Sequence, residues 1–215
     1  MGGGGRANEA VKPAPPPPPT PSRKGRGRSI LAILSPFSPF SISTLPVIHL
    51  RLAKIALAAS LAVFAGLVAI DNVLDYGTNF AFVEHVLSMD TTFPTNTLRW
   101  RAITEPMLWH AAYWVIIVGE ALTGAAYTIG AALLIRSLRA SGAAFNNSKR
   151  FVYIATALGF LVWFVGFMVV GGEWFSMWQS STWNGQEAAF RFYMTMLAAG
   201  IFIALKDRDL PAATR

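Results

Sequence analysis

The sequence predicts an all-α integral membrane protein: an up-down bundle of four transmembrane helices with a short external amphipathic helix. Three observations carry this. Hydrophobic residues make up 53% of the 215 residues and charged residues only 13%, about half the charged share of an ordinary soluble domain. The apolar residues gather in four stretches close to the ~20 residues that a bilayer core requires. The polar segments between those stretches alternate in charge, which gives the chain an orientation.

The first span is expected over residues 52–70, ended by Asp71 and Asn72, with Lys54 snorkelling to the interface. The second, over 107–135, opens with Thr104 as N-cap and Glu105 and Pro106 in the first turn. The third, over 151–170, stops at Gly171 and Gly172, a C-cap signal. The fourth, over 188–205, follows the turn signal Asn184-Gly185. Ala58, Ala62 and Gly66 recur every four residues in the first span, as do Gly124, Thr128 and Ala132 in the second. Small residues at that spacing let helix backbones approach closely. A transmembrane domain is therefore expected over 47–207, with a cytoplasmic tail over 208–215.

Residues 1–46 have another character. Four glycines, Pro13, the run Pro15 to Pro19 and a basic stretch from Arg23 to Arg28 cannot bury enough apolar surface to offset their ordering entropy, so disorder is expected. Pro36, Pro39 and Pro46 interrupt the mildly apolar residues that follow, and no small-residue cleavage pattern marks a signal peptide. The composition favours a tag-like extension or a mis-assigned start, with translation beginning near Val47, over a membrane-surface tether.

Charge supplies the orientation. Arg136, Arg139, Lys149 and Arg150 lie between the second and third spans with no acidic residue among them. The segment from Asp71 to Pro106 instead carries Asp71, Asp75, Glu84, Asp90 and Glu105 against Arg99 and Arg101. Between the third and fourth spans Glu173 is the sole charge before Glu187. The positive-inside rule then puts both termini on the cytoplasmic side of the membrane. The net charge of +7 does not point to nucleic acid, because the basic residues flank apolar spans and form no soluble basic face. There is no cysteine, which excludes disulfides, thiolate metal sites and thiol catalysis.

Trp100, Trp109, Trp114, Trp174, Trp178 and Trp183 all fall at or beyond the outer interface, and Trp163 in the outer half of its span. Interfacial tryptophan belts usually occupy both interfaces. A one-sided set calls for more than anchoring. Between Asn79 and Met89, Ala81, Glu84, His85 and Ser88 share one helical face and large apolar residues cover the rest, which predicts the short amphipathic helix. Asp90 to Pro94 reads as a stop and turn.

The strings DYGTNFAFVEHVLSMDTTFP (Asp75 to Pro94), WRAI (Trp100 to Ile103) and GGEWFSMWQSSTWNGQEAAFRF (Gly171 to Phe192) resemble the bacterial predicted small integral membrane proteins, a family of unknown function numbered 2165. The resemblance runs from about Leu50 to Leu205. It implies a four-helix inner-membrane protein and carries no reaction, cofactor or substrate.

The candidate partner-binding face comprises Asp75, Asn79, Glu84, His85, Asp90, Trp100, Arg101, Glu173, Trp174, Trp178, Gln179, Trp183, Asn184 and Gln186. Trp, Tyr and Arg dominate the energetics of protein interfaces. Two further residues are candidates within the spans, Glu120 and Arg191. An acid deep in a span is a functional hypothesis by default. The structural alternative, favoured here, is a protonated Glu120 donating an interhelical hydrogen bond of about 0.6–2 kcal/mol to Thr156, Tyr193 or Thr195. Arg191 has Glu187 four residues earlier as its nearer partner. His49, His85 and His110 lack the spacing of metal or haem ligands, so no metal, cofactor or catalytic residue is expected. The expected function is that of a non-enzymatic accessory, scaffold or assembly subunit with a Trp-rich periplasmic face. Its partners would be membrane lipid and a membrane or periplasmic protein or a second copy, with no nucleic acid. The alternative is a small transporter or redox subunit using Glu120, with a quinone held among Trp163, Trp114 and Tyr193.

Overall fold

The computed structural model describes residues 47–210; the expected disordered extension over 1–46 lies outside the described residues. Helix α1 (Val47–Leu74) is followed directly by α2 (Tyr76–Ser88) and a 3-10 turn (Arg99–Arg101). Helix α3 (Pro106–Arg136), the short α4 (Gly142–Asn147) and α5 (Arg150–Phe160) come next. Helix α5 continues unbroken as a wider π-type helix (Leu161–Trp174). A second 3-10 turn (Met177–Gln179) and α6 (Gln186–Ala204) complete the fold. Four helices are long and apolar enough to cross a membrane: α1, α3, the α4-to-π stretch Gly142–Trp174, and α6.

Neighbouring spans pack in opposite directions. Along α1 and α3, Arg51 meets Leu138, Gly66 meets Gly124, and Asn72 meets Tyr113. Along α3 and the third span, Gly130 meets Val152, Tyr127 meets Thr156, and Gly119 meets Val162. Helix α6 returns beside the third span, with Gly200 at Thr156, Met196 at Gly159, and Gln186 at Gly172. On α1 the buried residues Arg51, Lys54, Ile55, Ala58, Leu61, Ala65 and Ala69 form one stripe at helical spacing. The opposite side is apolar as well, with Leu52, Val63, Leu67 and Ile70 exposed. A helix apolar on all sides needs lipid where it lacks protein.

A Cβ on Gly124 would lie 2.9 Å from the Gly66 nitrogen, so α1 and α3 touch backbone to backbone. The four-residue row does not continue along that contact: Thr128 and Ala132 are exposed, and Tyr127, Ala131 and Leu134 turn inward instead. Rows four apart drift around a 3.6-residue helix. Two end signals also move. Glu105, not Thr104, is the N-cap of α3, with Pro106 at its first position. Gly171 and Gly172 do not stop the third span, which runs on to Trp174; they are buried because Met177 and Gln186 pack where side chains would stand.

The end of the bundle carrying Arg51, the α3–α4 turn and residues 205–209 is the basic end. There Lys54 does not snorkel outward. Its Nζ donates to Asp207 Oδ2 at 2.6 Å and to the Leu205 carbonyl at 2.5 Å, fully buried. Lys149 Nζ reaches the same Asp207 oxygen at 2.5 Å, the Leu205 carbonyl at 2.7 Å and Asn146 Oδ1 at 2.7 Å. Arg51, also buried, donates to the carbonyls of Leu138, Ala140 and Arg208. Asp209 accepts from the Gly142 backbone N–H at 2.7 Å. Arg208 and Asp209, which open the expected tail, are thus tied onto the bundle. Taking an ammonium out of water costs several kcal/mol unless a carboxylate and carbonyls replace the lost hydration, and this short strap supplies both.

Candidate functional site

The opposite, aromatic end holds a second buried core, in which Val83, Val86, Leu87 and Met89 of α2 and its cap meet Tyr113, Ile117, Phe175 and Met177. Apolar α2 side chains seal the end of the bundle, while its polar stripe of Glu84, His85 and Ser88 stays partly exposed. Met89 ends α2 in the left-handed conformation (φ 54°), and the chain turns at Asp90.

Glu120 lies just below this cap and is 2% exposed. The partners expected for it are not the ones it has. Thr156 sits deeper, against Tyr127 at 3.0 Å, Thr195 Oγ1 donates to the Arg191 carbonyl, and Tyr193 packs among Phe160, Phe164 and Phe190. Instead Asn72, in the last turn of α1, donates from Nδ2 to Glu120 Oε2 at 2.6 Å. Tyr113 donates from its hydroxyl to Asn72 Oδ1 at 3.1 Å and to the Asn72 carbonyl at 2.9 Å. The donors run one way, Tyr113 to Asn72 to Glu120. Because the amide oxygen accepts from Tyr113, the amide nitrogen must face the carboxyl. Helix α1 reaches Asn72 because it continues to Leu74, one turn beyond the expected span.

A cavity of about 170 Å³ opens beside this relay, lined by Asn72, Tyr113, Glu120 and Trp163 together with Asn79, Phe82, Phe167 and Phe192. A second, wholly apolar one of about 270 Å³ adjoins it, sharing Phe82, Val83, Ile116 and Phe167. This branch runs between α2, α3 and the π-type helix to Val115 and Val170, both exposed on the outer side of their helices. The two lie side by side across those shared residues, a polar head chamber beside Glu120 and an apolar arm that ends at side chains where lipid would lie. Of the three aromatic residues expected around a ligand, Trp163 lines the chamber; Trp114 is exposed on α3, and Tyr193 packs elsewhere.

The residues of the predicted partner-binding face are gathered at this end, but many serve to stitch it together. Gln179 Oε1 accepts from the Phe93 N–H and from Asn96 Nδ2, both at 3.0 Å. His85 Nδ1 lies 2.7 Å from Asp90 Oδ2 and stacks on Trp183. Asn184 caps the Gln186 N–H, and Gln186 packs on Gly172. Asn79 faces the cavity, whereas Asp75 and Glu173 are exposed. Trp100 (72% exposed) and Trp174 (49%) flank Arg101, whose guanidinium lies 4.4 Å from the Trp174 ring centre and 5.4 Å from that of Trp100. Trp178 is exposed against Phe93. Arg191 pairs with Glu187 in an exposed i,i+4 contact, as the spacing predicts. His110 stacks on Phe80 and lies 2.8 Å from the Tyr76 hydroxyl, so it is apart from His85 and Glu84. Among the described residues no three His, Asp or Glu side chains gather as metal ligands would.

Sequence reasoning missed Asn72, Tyr113 and the apolar arm. Asn72 was legible as a polar residue ending the first span, but not as a partner of Glu120, because the register of α1 against α3 is set by contacts such as Gly66–Gly124 that no local pattern shows.

No curated protein and no solved structure matches the chain. The family model for a predicted small integral membrane protein (domain of unknown function 2165) matches residues 50–206, from α1 through α6 and including both the relay and the aromatic cap. The chain belongs to this family of small integral membrane proteins.

Proposed function

We propose that this protein binds an amphiphilic small molecule drawn from the bilayer, without transforming it. One observation carries the reading: a buried carboxyl with a single donor among the described residues lines a cavity that shares its walls with an apolar one reaching lipid-facing side chains. Ligand sites are concave and mostly apolar, with a few convergent polar groups. Here Glu120, Asn72 and Tyr113 are those groups. A 150 Å³ apolar cavity is large enough for benzene, to order of magnitude, so the head chamber suits a small polar group and the arm a hydrocarbon chain. The test is photolabelling in nanodiscs with a diazirine-bearing alkyl alcohol. Labels should concentrate on Ile116, Phe167 and the α2 face. Labels spread evenly over lipid-facing residues such as Val63 and Leu67 would refute the reading.

The orientation we infer follows the surface charge. Arg136, Arg139, Arg150, Lys206 and Arg208 remain exposed at the basic end even though Arg51, Lys54 and Lys149 are buried, which supports a cytoplasmic basic end, a periplasmic aromatic end and residence in an inner membrane. A second reading, an accessory subunit docking through the aromatic end, is favoured by the exposed Trp100–Arg101–Trp174 stack. Its test is in-membrane crosslinking from Trp100. A crosslink to a protein that is lost in Trp100→Ala supports it, and exclusive crosslinking to lipid removes it.

A further inference from the structure

The ligand reading leaves open what head group the chamber accepts, and its charge inventory answers that. Among the described residues Glu120 is the one acidic side chain in the lining of the head chamber, and no basic side chain lines it as well. The cations that could neutralise it are engaged elsewhere. Arg191 pairs with Glu187 on the exposed side of α6, and Arg51, Lys54 and Lys149 are bonded to Asp207 and to carbonyls at the far end of the bundle. The hydrogen-bond direction agrees. Tyr113 donates to Asn72 and Asn72 donates to Glu120 Oε2, so the protein presents this carboxyl as an acceptor. No other described residue donates to it, which leaves Oε1 for an occupant. Four of the other lining residues are aromatic, Trp163, Phe82, Phe167 and Phe192, and apart from Asn79 the rest are small or aliphatic. Aromatic faces attract cations, and aromatic cages are a recurring means of recognising alkylated ammonium groups.

Resting on the proposed ligand site, we propose that the occupant is an amphiphilic cation, with a small ammonium-type head against Glu120 and an alkyl chain along the apolar arm. A neutral alcohol of equal length would fill the same space without offsetting the buried carboxylate, whereas an anion would meet a like charge in a low-dielectric pocket.

The experiment is calorimetric titration of the protein in zwitterionic nanodiscs, with empty nanodiscs subtracted, using decyltrimethylammonium, 1-decanol and decyl sulfate below their aggregation thresholds. The expected order is cation over alcohol by about tenfold or more, a difference of about 1.4 kcal/mol, with no saturable binding of the sulfate. Glu120→Gln should bring the cation down to the level of the alcohol and leave the alcohol unchanged, while Glu120→Asp should keep the preference. Equal binding of cation and alcohol, or a preference that survives Glu120→Gln, overturns the cation proposal but leaves an amphiphile site standing, because decanol still saturates. Absence of saturable binding by all three overturns the ligand site itself and the cation proposal with it.

Discussion

Asp207 offers the sharpest test of how the bundle is held at its basic end. Its carboxylate, side chain 0% exposed, is the single acidic partner of Lys54 and Lys149 among the described residues, and both lysines are also 0% exposed. Asp207→Asn keeps the shape and the backbone bonds to Asn146 but removes the charge, leaving two ammonium groups buried side by side. Breaking a buried ion pair from one side costs about 3–5 kcal/mol. At about 2–4 °C of melting temperature per kcal/mol for a domain of this size, the variant should melt roughly 6–20 °C lower. Intrinsic tryptophan fluorescence during heating in a mild detergent measures it. A triple variant, Lys54→Met with Lys149→Met and Asp207→Leu, supplies the contrast: replacing a whole buried ionic group by apolar side chains is often neutral or stabilising, so it should recover most of the loss. A melting temperature for Asp207→Asn within a degree or two of the parent would refute the claim that this carboxylate balances the cluster. Failure of the triple variant to recover would refute the claim that uncompensated charge is the cause.

Three further outcomes follow from the geometry. Gly166 lines the apolar arm, and a Cβ there meets nothing within 4 Å, so Gly166→Leu should fill the arm, abolish saturable decanol binding in calorimetry and leave the melting temperature nearly unchanged. Gly124→Ala drives a methyl against the Gly66 backbone and should cost about 1–3 kcal/mol through separation of α1 and α3, read as a lowered melting temperature, whereas Gly77→Ala, where a Cβ meets nothing within 4 Å, should not. Asn72→Leu removes the one donor to Glu120 and the acceptor of Tyr113, a loss of about 1–3 kcal/mol for stranded buried polar groups; the same melting assay checks it, and Tyr113→Phe should cost less because Asn72 keeps its bond to Glu120.

The spans were legible because membrane insertion is governed by local quantities. Length and hydropathy along one helix suffice to mark α1, α3, the third span and α6, and a buried acid among apolar neighbours is conspicuous at Glu120 wherever the partner helix lies. Pairings are another matter. Lys54 and Asp207 are 153 residues apart, and a lysine at the start of a span reads equally well as a snorkelling side chain until the chain after α6 is known to fold back over it. The tryptophans fail the same way. Trp163 is 1% exposed and Trp100 72%, yet both stand in aromatic, apolar sequence, and only the packing of Phe64 and Phe192 around Trp163 distinguishes core from surface. Asn72 was assigned to the end of a span for the same reason: its neighbour Asp71 is exposed, and which of two adjacent polar residues faces inward depends on where α3 lies.

Among the described residues the bundle buries acidic side chains at both ends, and the differences between Asp207 and Glu120 bear on the proposed ligand site. At the basic end Lys149 uses all three of its donors and Lys54 two of its three on protein oxygens, and neither chamber described above is lined by these residues. Among the described residues Asp207 Oδ1 and Arg51 Nε are buried there without a partner, but the ammonium groups are paired with a carboxylate and carbonyls of the fold and neither chamber opens beside them, so that centre holds the strap and the ends of the spans together. Glu120 is the reverse case. Among the described residues it has one donor and no cationic partner, and it lines a chamber. Stability alone would favour a leucine or methionine at this position, since a buried carboxyl with an incomplete set of partners is costlier than the apolar side chain that would fill the same volume. The acid is compatible with a stable bundle only because the Tyr113–Asn72 relay offsets part of that cost. A cationic occupant would offset the rest, and melting temperature is the direct measure: saturating decyltrimethylammonium should raise that of the parent protein and leave that of Glu120→Gln unmoved, whereas an equal rise in both would mean that the chamber responds to the chain alone.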